Sequence, residues 1–174
     1  MKAKAEVIHA GCEKTRHHAV EVLRSGKLIA FPTDTVYGLA AFPWDEDAVA
    51  RLYKVKQRPL DRPIPLLLSD AEQLEQVALI PPQFKHRIRQ LTARFWPGGL
   101  TIVLLKIKRI TDVISANPTV AVRVPGLPLA RDIIREAGGV LAVTSANLSG
   151  QLSSITAQEV EKQLGDQISI IVDG

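Results

Sequence analysis

Apolar positions along the chain fall into short runs broken by Pro, Gly, Asn and Ser, and their spacing switches between two periods. Weak alternation over residues 6–9 predicts an opening strand. Within 13–25, Ala19, Val20 and Leu23 share a helical face, with Gly26 placed to close the helix. The apolar run 28–31, stopped by Pro32, predicts a short buried strand. Asp45 can cap a helix running to about Val55. Residues 64–68 read as a strand, and Ser69 with Glu72 has the spacing of a capping box that opens a further helix. Pro81-Pro82 introduces a helix over 83–96 with Ile88, Leu91 and Phe95 on one face, ended by Pro97-Gly98-Gly99. Strands follow at 101–107 and 119–124, and a helix at 128–137 closed by Gly138-Gly139. A strand at 140–144 comes next. A second capping box, Thr156 with Glu159, starts a helix to Gly165, and the last strand is 168–172.

Strand and helix alternate, which predicts an α/β domain with a mixed, twisted sheet. The helix after Pro81 interrupts a simple doubly wound order, so no Rossmann arrangement is assigned. No linker divides the chain, and residues 1–174 read as a single domain. Apolar residues make up 46% and charged residues 23%, which excludes a wholly disordered chain. The longest apolar runs, such as 101–105, fall far short of the roughly 20 residues that span a bilayer. The first residues lack the apolar core of a secretory signal. A lone cysteine, Cys12, cannot form an internal disulfide. The expectation is a cytoplasmic protein with no membrane partner.

Charge adds a location. The formal net charge is +4. Residues 51–62 hold Arg51, Lys54, Lys56, Arg58 and Arg62 against Asp61, so this segment carries all of it. No acid stands between Glu75 and Asp112. Basic clustering of this kind attracts phosphates, nucleotides or nucleic acid.

The glycine-rich phosphate cradles and the Gly-x-Ser-x-Gly nucleophile elbow are absent. His9, Cys12, His17 and His18 lie within ten residues, but zinc knuckles draw paired, Cys-dominated ligands, so ordinary surface histidines are the favoured reading. Four segments remain. Residues 31–39 place Thr33, Asp34, Thr35 and Tyr37 after a buried strand, where open sheets bind ligands. Lys56 and Arg58, two apart in what reads as an exposed loop, would share one face if extended and could grip phosphate or carboxylate oxygens. Arg123 lies in an apolar strand, Val120 to Val124. It must meet a structural carboxylate or a ligand anion, and the ligand is favoured. Ser145-Ala146-Asn147-Leu148-Ser149-Gly150 follows another apolar strand and offers donors for phosphate or purine.

In this order the segments resemble the YrdC domain family, the L-threonylcarbamoyladenylate synthases. The motifs are Pro-Thr-Asp-Thr-Val-Tyr-Gly-Leu at 32–39, Lys-x-Arg-Pro at 56–59, Trp-Pro-Gly-Gly-Leu-Thr at 96–101, Val-Arg-Val-Pro at 122–125 and Ser-Ala-Asn-Leu-Ser-Gly at 145–150. The resemblance implies a YrdC-like fold, a mixed sheet with flanking helices around a basic concave cavity. It implies a nucleotidyltransferase that condenses L-threonine, bicarbonate or CO2, and ATP (with Mg2+) into threonylcarbamoyl-AMP and pyrophosphate. The product serves threonylcarbamoyladenosine formation at tRNA position 37, through a partner tRNA threonylcarbamoyltransferase. By the same resemblance Lys56 and Arg58 are catalytic. Thr35, Arg58, Arg123 and the backbone of Val143 contact threonine. Lys56, Arg62, Thr119, Ser145, Asn147 and Ser153 form the ATP side.

Two departures accompany it. Some members carry a His nine residues after the motif arginine, where this chain has Leu67. The family also continues past the position of Gly174 with a segment that closes the pocket. The alternative function is a non-catalytic protein that binds double-stranded RNA or tRNA through the basic face of 51–109. A carbamoyl-transfer domain of the hydrogenase-maturation type lacks support, since the zinc-finger cysteines are missing.

Overall fold

A computed structural model describes residues 4–11 and 13–174. Cys12, and with it the candidate ligand set it would complete, lies outside the described residues, as do residues 1–3. The strands are β1 (Glu6–His9), β2 (Ile29–Phe31), β3 (Gly38–Ala41), β4 (Leu66–Leu68), β5 (Ala78–Leu79), β6 (Ile102–Lys106), β7 (Thr119–Arg123), β8 (Val140–Ser145) and β9 (Ile170–Asp173). The α-helices are α1 (Glu13–Arg24), α2 (Glu46–Lys56), α3 (Pro82–Phe95), α4 (Pro128–Glu136) and α5 (Ala157–Leu164). The strands form one mixed sheet ordered β1-β9-β2-β3-β8-β4-β7-β6-β5. β9 runs parallel to β1 and β2, and β4 parallel to β7; the other neighbours are antiparallel.

Period-two side-chain direction sorts the strand residues onto two faces. Ala30, Leu39, Ala41, Leu66, Leu68, Val120 and Val122 join one core with α2 and α5. Ile29, Phe31, Ala40, Leu67, Leu141 and Val143 join a second core under α1 and α4. That second roof stops short. Over β7, β6 and β5 the same face is open, and Val103 and Leu105 of β6 and Leu79 of β5 are 61%, 47% and 52% exposed. The pairings Leu67 with Arg123, Ala121 with Val103, and Thr119 with Leu105 put Arg123 at the boundary between the roofed and open halves.

Two caps behave as the sequence predicts. Asp45 Oδ1 accepts from the Ala48 amide at 3.0 Å, and Thr156 Oγ1 accepts from the Glu159 amide at 3.2 Å. The Glu159 carboxylate reaches back to the Ile155 amide at 2.7 Å. The Ser69–Glu72 capping box does not form. Ser69 Oγ instead donates to Gln73 Oε1, and only a 3-10 turn, Ala71–Gln76, follows. Asp70, the residue at the cap position, spends its carboxylate on Arg135 at 3.1 Å, so nothing anchors an α-helical first turn. His9, His17 and His18 stand beside carboxylates: His17 beside Glu136 and Glu21, His18 beside Glu6, His9 beside Asp173. No helix of the described residues is long and apolar enough to cross a membrane.

Candidate active site

β2 and β3 form a hairpin whose loop, residues 32–37, is the Pro-Thr-Asp-Thr segment. β3 was not expected there, since Gly-Leu-Ala-Ala has low strand propensity; burial on both faces and two antiparallel neighbours hold it. Gly38 lets the hairpin close on β8, because a Cβ there would stand 2.7 Å from Val143 Cγ1. Inside the loop, Thr33 Oγ1 donates to the Val36 carbonyl at 2.6 Å and accepts from the Thr35 and Val36 amides. This turn sets the Thr35 hydroxyl 3.1 Å from that of Thr33.

Beside the loop lies a cavity of about 200 Å3. One part of its wall is polar: Thr33, Thr35, Thr101, Thr144 and Ser145. Another is apolar: Val36, Pro65, Leu67 and Val143. Arg58 and Arg123 also line it, and no acidic residue does. The cavity thus combines two guanidiniums, several hydroxyls and an aliphatic wall, a set suited to a small carboxylate that also carries polar and methyl groups.

The two arginines differ in their partners. Arg58 Nε and Nη2 donate to the Arg62 and Pro63 carbonyls, each at 2.9 Å, and among the described residues no carboxylate pairs with it. Arg123 is paired: Nη2 meets Asp34 Oδ1 at 2.7 Å, Nη1 donates to Thr35 Oγ1 at 3.3 Å, and Nε donates to the Gly98 carbonyl at 2.9 Å. The Gly98 amide bonds in turn to the Val124 carbonyl at 2.8 Å, which binds the Trp-Pro-Gly-Gly turn to the end of β7. Of the two partners foreseen for Arg123, the structural carboxylate is present, while the guanidinium still borders the cavity.

Lys56 departs from the exposed-loop reading. It is the last residue of α2, 1% exposed, and the chain turns away at Gln57 with φ 51°. Its ammonium donates to the Ser145 carbonyl at 2.5 Å, the Asn147 carbonyl at 2.6 Å and Asn147 Oδ1 at 3.2 Å. Three N–H groups meet three acceptors, so Lys56 straps the turn after β8 from beneath. It and Arg58 do not share the face of an extended segment, because a helix end and a left-handed residue separate them. Burial, with Arg58 adding repulsion, pushes its pKa down to about 8.

The remaining predicted positions scatter. Ser145 and Val143 line the cavity, and Val143 N donates to the Pro65 carbonyl at 3.0 Å. Asn147 is buried, its amide donating to the Leu148 and Gln151 carbonyls, so it shapes the turn rather than facing the cavity. Arg62 and Ser153 are exposed outside the cavity wall. Thr119 sits at the far end of β7, roughly 13 Å from Arg123 at about 3.3 Å per residue, on the open half of the same face. Thr101, Pro65 and Ser154 were not foreseen. Ser154 donates to the Ala146 carbonyl at 2.7 Å, and its own carbonyl holds the Tyr37 amide. Thr101 ends a quoted motif; Pro65 has no sequence signal.

Residues 21–174 match the family model Sua5_yciO_yrdC, described as "Telomere recombination". The chain is 42% identical over 158 residues to a threonylcarbamoyl-AMP synthase of Bacillus subtilis, covering 90% of this chain and 45% of that protein. It is 38% identical to one of Vibrio vulnificus, covering 89% and 83%. The structure of Pyrococcus abyssi Sua5 complexed with L-threonine superposes with a TM-score of 0.90 at 38% identity, over 98% of this chain and 50% of that one. The chain therefore spans about half the length of the Bacillus and Pyrococcus proteins. With the family model matched over most of its length and the sheet superposing on a solved member, the chain belongs to the Sua5/YciO/YrdC family.

Proposed function

We propose that this chain is the catalytic domain of a threonylcarbamoyl-AMP synthase, a nucleotidyltransferase acting on L-threonine, bicarbonate or CO2, and ATP in the cytoplasm. The observation that carries the reading is the acid-free cavity in which Arg58 and Arg123 stand beside the Thr35 hydroxyl and the Leu67–Val143 aliphatic wall. A threonine carboxylate suits the guanidiniums, its hydroxyl suits the threonine-rich wall, and its methyl suits Leu67 and Val143. The printed names of the relatives support the same substrate. They favour an enzyme over a protein that only binds RNA.

In the proposed reaction the neutral threonine amine attacks CO2, an N–C bond forms, and the nitrogen loses its proton to solvent. A carbamate oxygen then attacks the α-phosphorus of ATP, and the bond to the β-phosphate oxygen breaks as pyrophosphate leaves. No side chain need act as nucleophile; positioning and charge do the work. Arg58 and Arg123 hold the amino acid. The Lys56 charge lies under the Ser145–Asn147 turn, against which phosphates would rest, and Asn147 shapes that turn. Arg62, whose carbonyl Arg58 holds, and Thr119, on the open half of the face, would take part in binding an extended nucleotide. Among the described residues the cavity wall offers no carboxylate, so Mg2+ would arrive with ATP as part of the substrate. The product's consumer would be a tRNA threonylcarbamoyltransferase. The test is pyrophosphate release that requires both threonine and bicarbonate; equal release without threonine would refute the assignment.

A further inference from the structure

The Asp34 carboxylate is partly exposed and does not line the cavity. It is held from two sides. Arg123 Nη2 lies 2.7 Å from Oδ1. On the other side the backbone of Gly126 presses close: a Cβ there would stand 3.0 Å from Oδ2, 3.2 Å from Cγ and 3.3 Å from Asp34 Cβ. A Cβ at 126 would oblige the Asp34 side chain to give by a few tenths of an ångström. Arg123 is thereby fixed by two segments at once, through Asp34 and Thr35 of the hairpin loop and through the Gly98 carbonyl. Each terminal nitrogen of its guanidinium keeps one N–H beyond these bonds.

The charge balance follows from the same contacts. Two guanidiniums in an acid-free wall would hold a dianion such as inorganic phosphate more strongly than an amino acid, which carries one carboxylate and one ammonium. Asp34 offsets Arg123 and leaves Arg58 as the cavity's uncompensated cation. We infer that Asp34 is a positioning residue that both orients Arg123 and tunes the cavity toward the single carboxylate of an amino acid and against phosphate dianions. The inference rests on the proposed reading that this cavity takes threonine.

The experiment is calorimetric titration of the full chain with L-threonine and, separately, with inorganic phosphate at pH 8, for the wild type, Asp34→Asn and Gly126→Ala. Asp34→Asn keeps the shape and removes the charge. Gly126→Ala meets only Asp34, keeps its charge, and moves the carboxylate by a few tenths of an ångström. Asp34→Asn should raise the ratio of phosphate to threonine affinity at least tenfold, because a dianion gains more than a zwitterion when the offsetting charge is lost; Gly126→Ala, which keeps the charge, should leave the ratio close to the wild-type value. A purely structural role would weaken both ligands together and leave that ratio unchanged. If the wild type binds threonine and the ratio stays constant in Asp34→Asn, the role of Asp34 is refuted while the cavity assignment stands. If the wild type fails to bind threonine, the cavity assignment falls and this inference with it.

Discussion

Deprotonating Lys56 should stabilise the fold, and the size of the effect follows from its surroundings. The side chain is 1% exposed and has no carboxylate partner. Its three carbonyl-type acceptors favour the ammonium, whereas burial and the nearby Arg58 disfavour it. Burial wins, since the pKa falls from its ordinary 10.5 to about 8. At about 1.4 kcal/mol per pH unit between the folded and unfolded values, the charge costs the fold about 3 kcal/mol at neutral pH. Below pH 8 both states are protonated and the full cost applies. Between pH 8 and 10.5 the unfolded chain holds the proton that the folded chain has released, so stability rises with pH. Above 10.5 the cost is gone. Urea denaturation of the wild type and Lys56→Met across pH 7 to 10.5 isolates this residue, because other titrations cancel in the difference. The wild type should gain about 3 kcal/mol on the variant over that window. Parallel profiles would show that the three hydrogen bonds offset burial in full, and the reasoning would fail.

Arg58→Ala should lower threonine-dependent pyrophosphate release by about two orders of magnitude, the usual scale for losing one preorganised donor; urea denaturation should change little, because its bonded carbonyls sit in a partly exposed turn. Gly38→Ala should destabilise the fold by about 2 kcal/mol, as the new methyl would stand 2.7 Å from Val143 Cγ1 and that packing must shift; an unchanged urea midpoint would contradict that packing. Thr156→Ala should cost about 1 kcal/mol through loss of the α5 cap, read as a lower melting temperature with activity intact.

What the chain reveals by itself is what its neighbours in sequence decide. Asp45 and Thr156 cap helices because their partners are three residues away. The Ser69 box has the same spacing and fails, because Asp70 is claimed by Arg135, 65 residues along the chain. Lys56 reads as a solvated cation until the turn after β8 supplies its acceptors from 89 and 91 residues away. Arg123 shows the intermediate case. Its apolar strand announces that the charge needs a partner, but only the folded sheet brings Asp34 to it. The motifs around the cavity were legible; which of their side chains face it depended on strand parity and helix ends.

The strand order also sets a timetable. β1, within the first ten residues, pairs only with β9, at Ile170–Asp173, and β9 forms one flank of β2. On a growing chain the hairpin that carries the Thr35 loop therefore emerges with both of its outer edges bare. The edge along β3 waits for β8, and the edge along β2 waits for β9. Such distant pairings are slow to form and leave unpaired backbone available to other chains in the meantime. Ligand capture consequently waits on β8 rather than on the hairpin: a nascent chain that has not yet released Val140–Ser145 from the ribosome has the Thr35 loop and Arg123 without the strand that joins them.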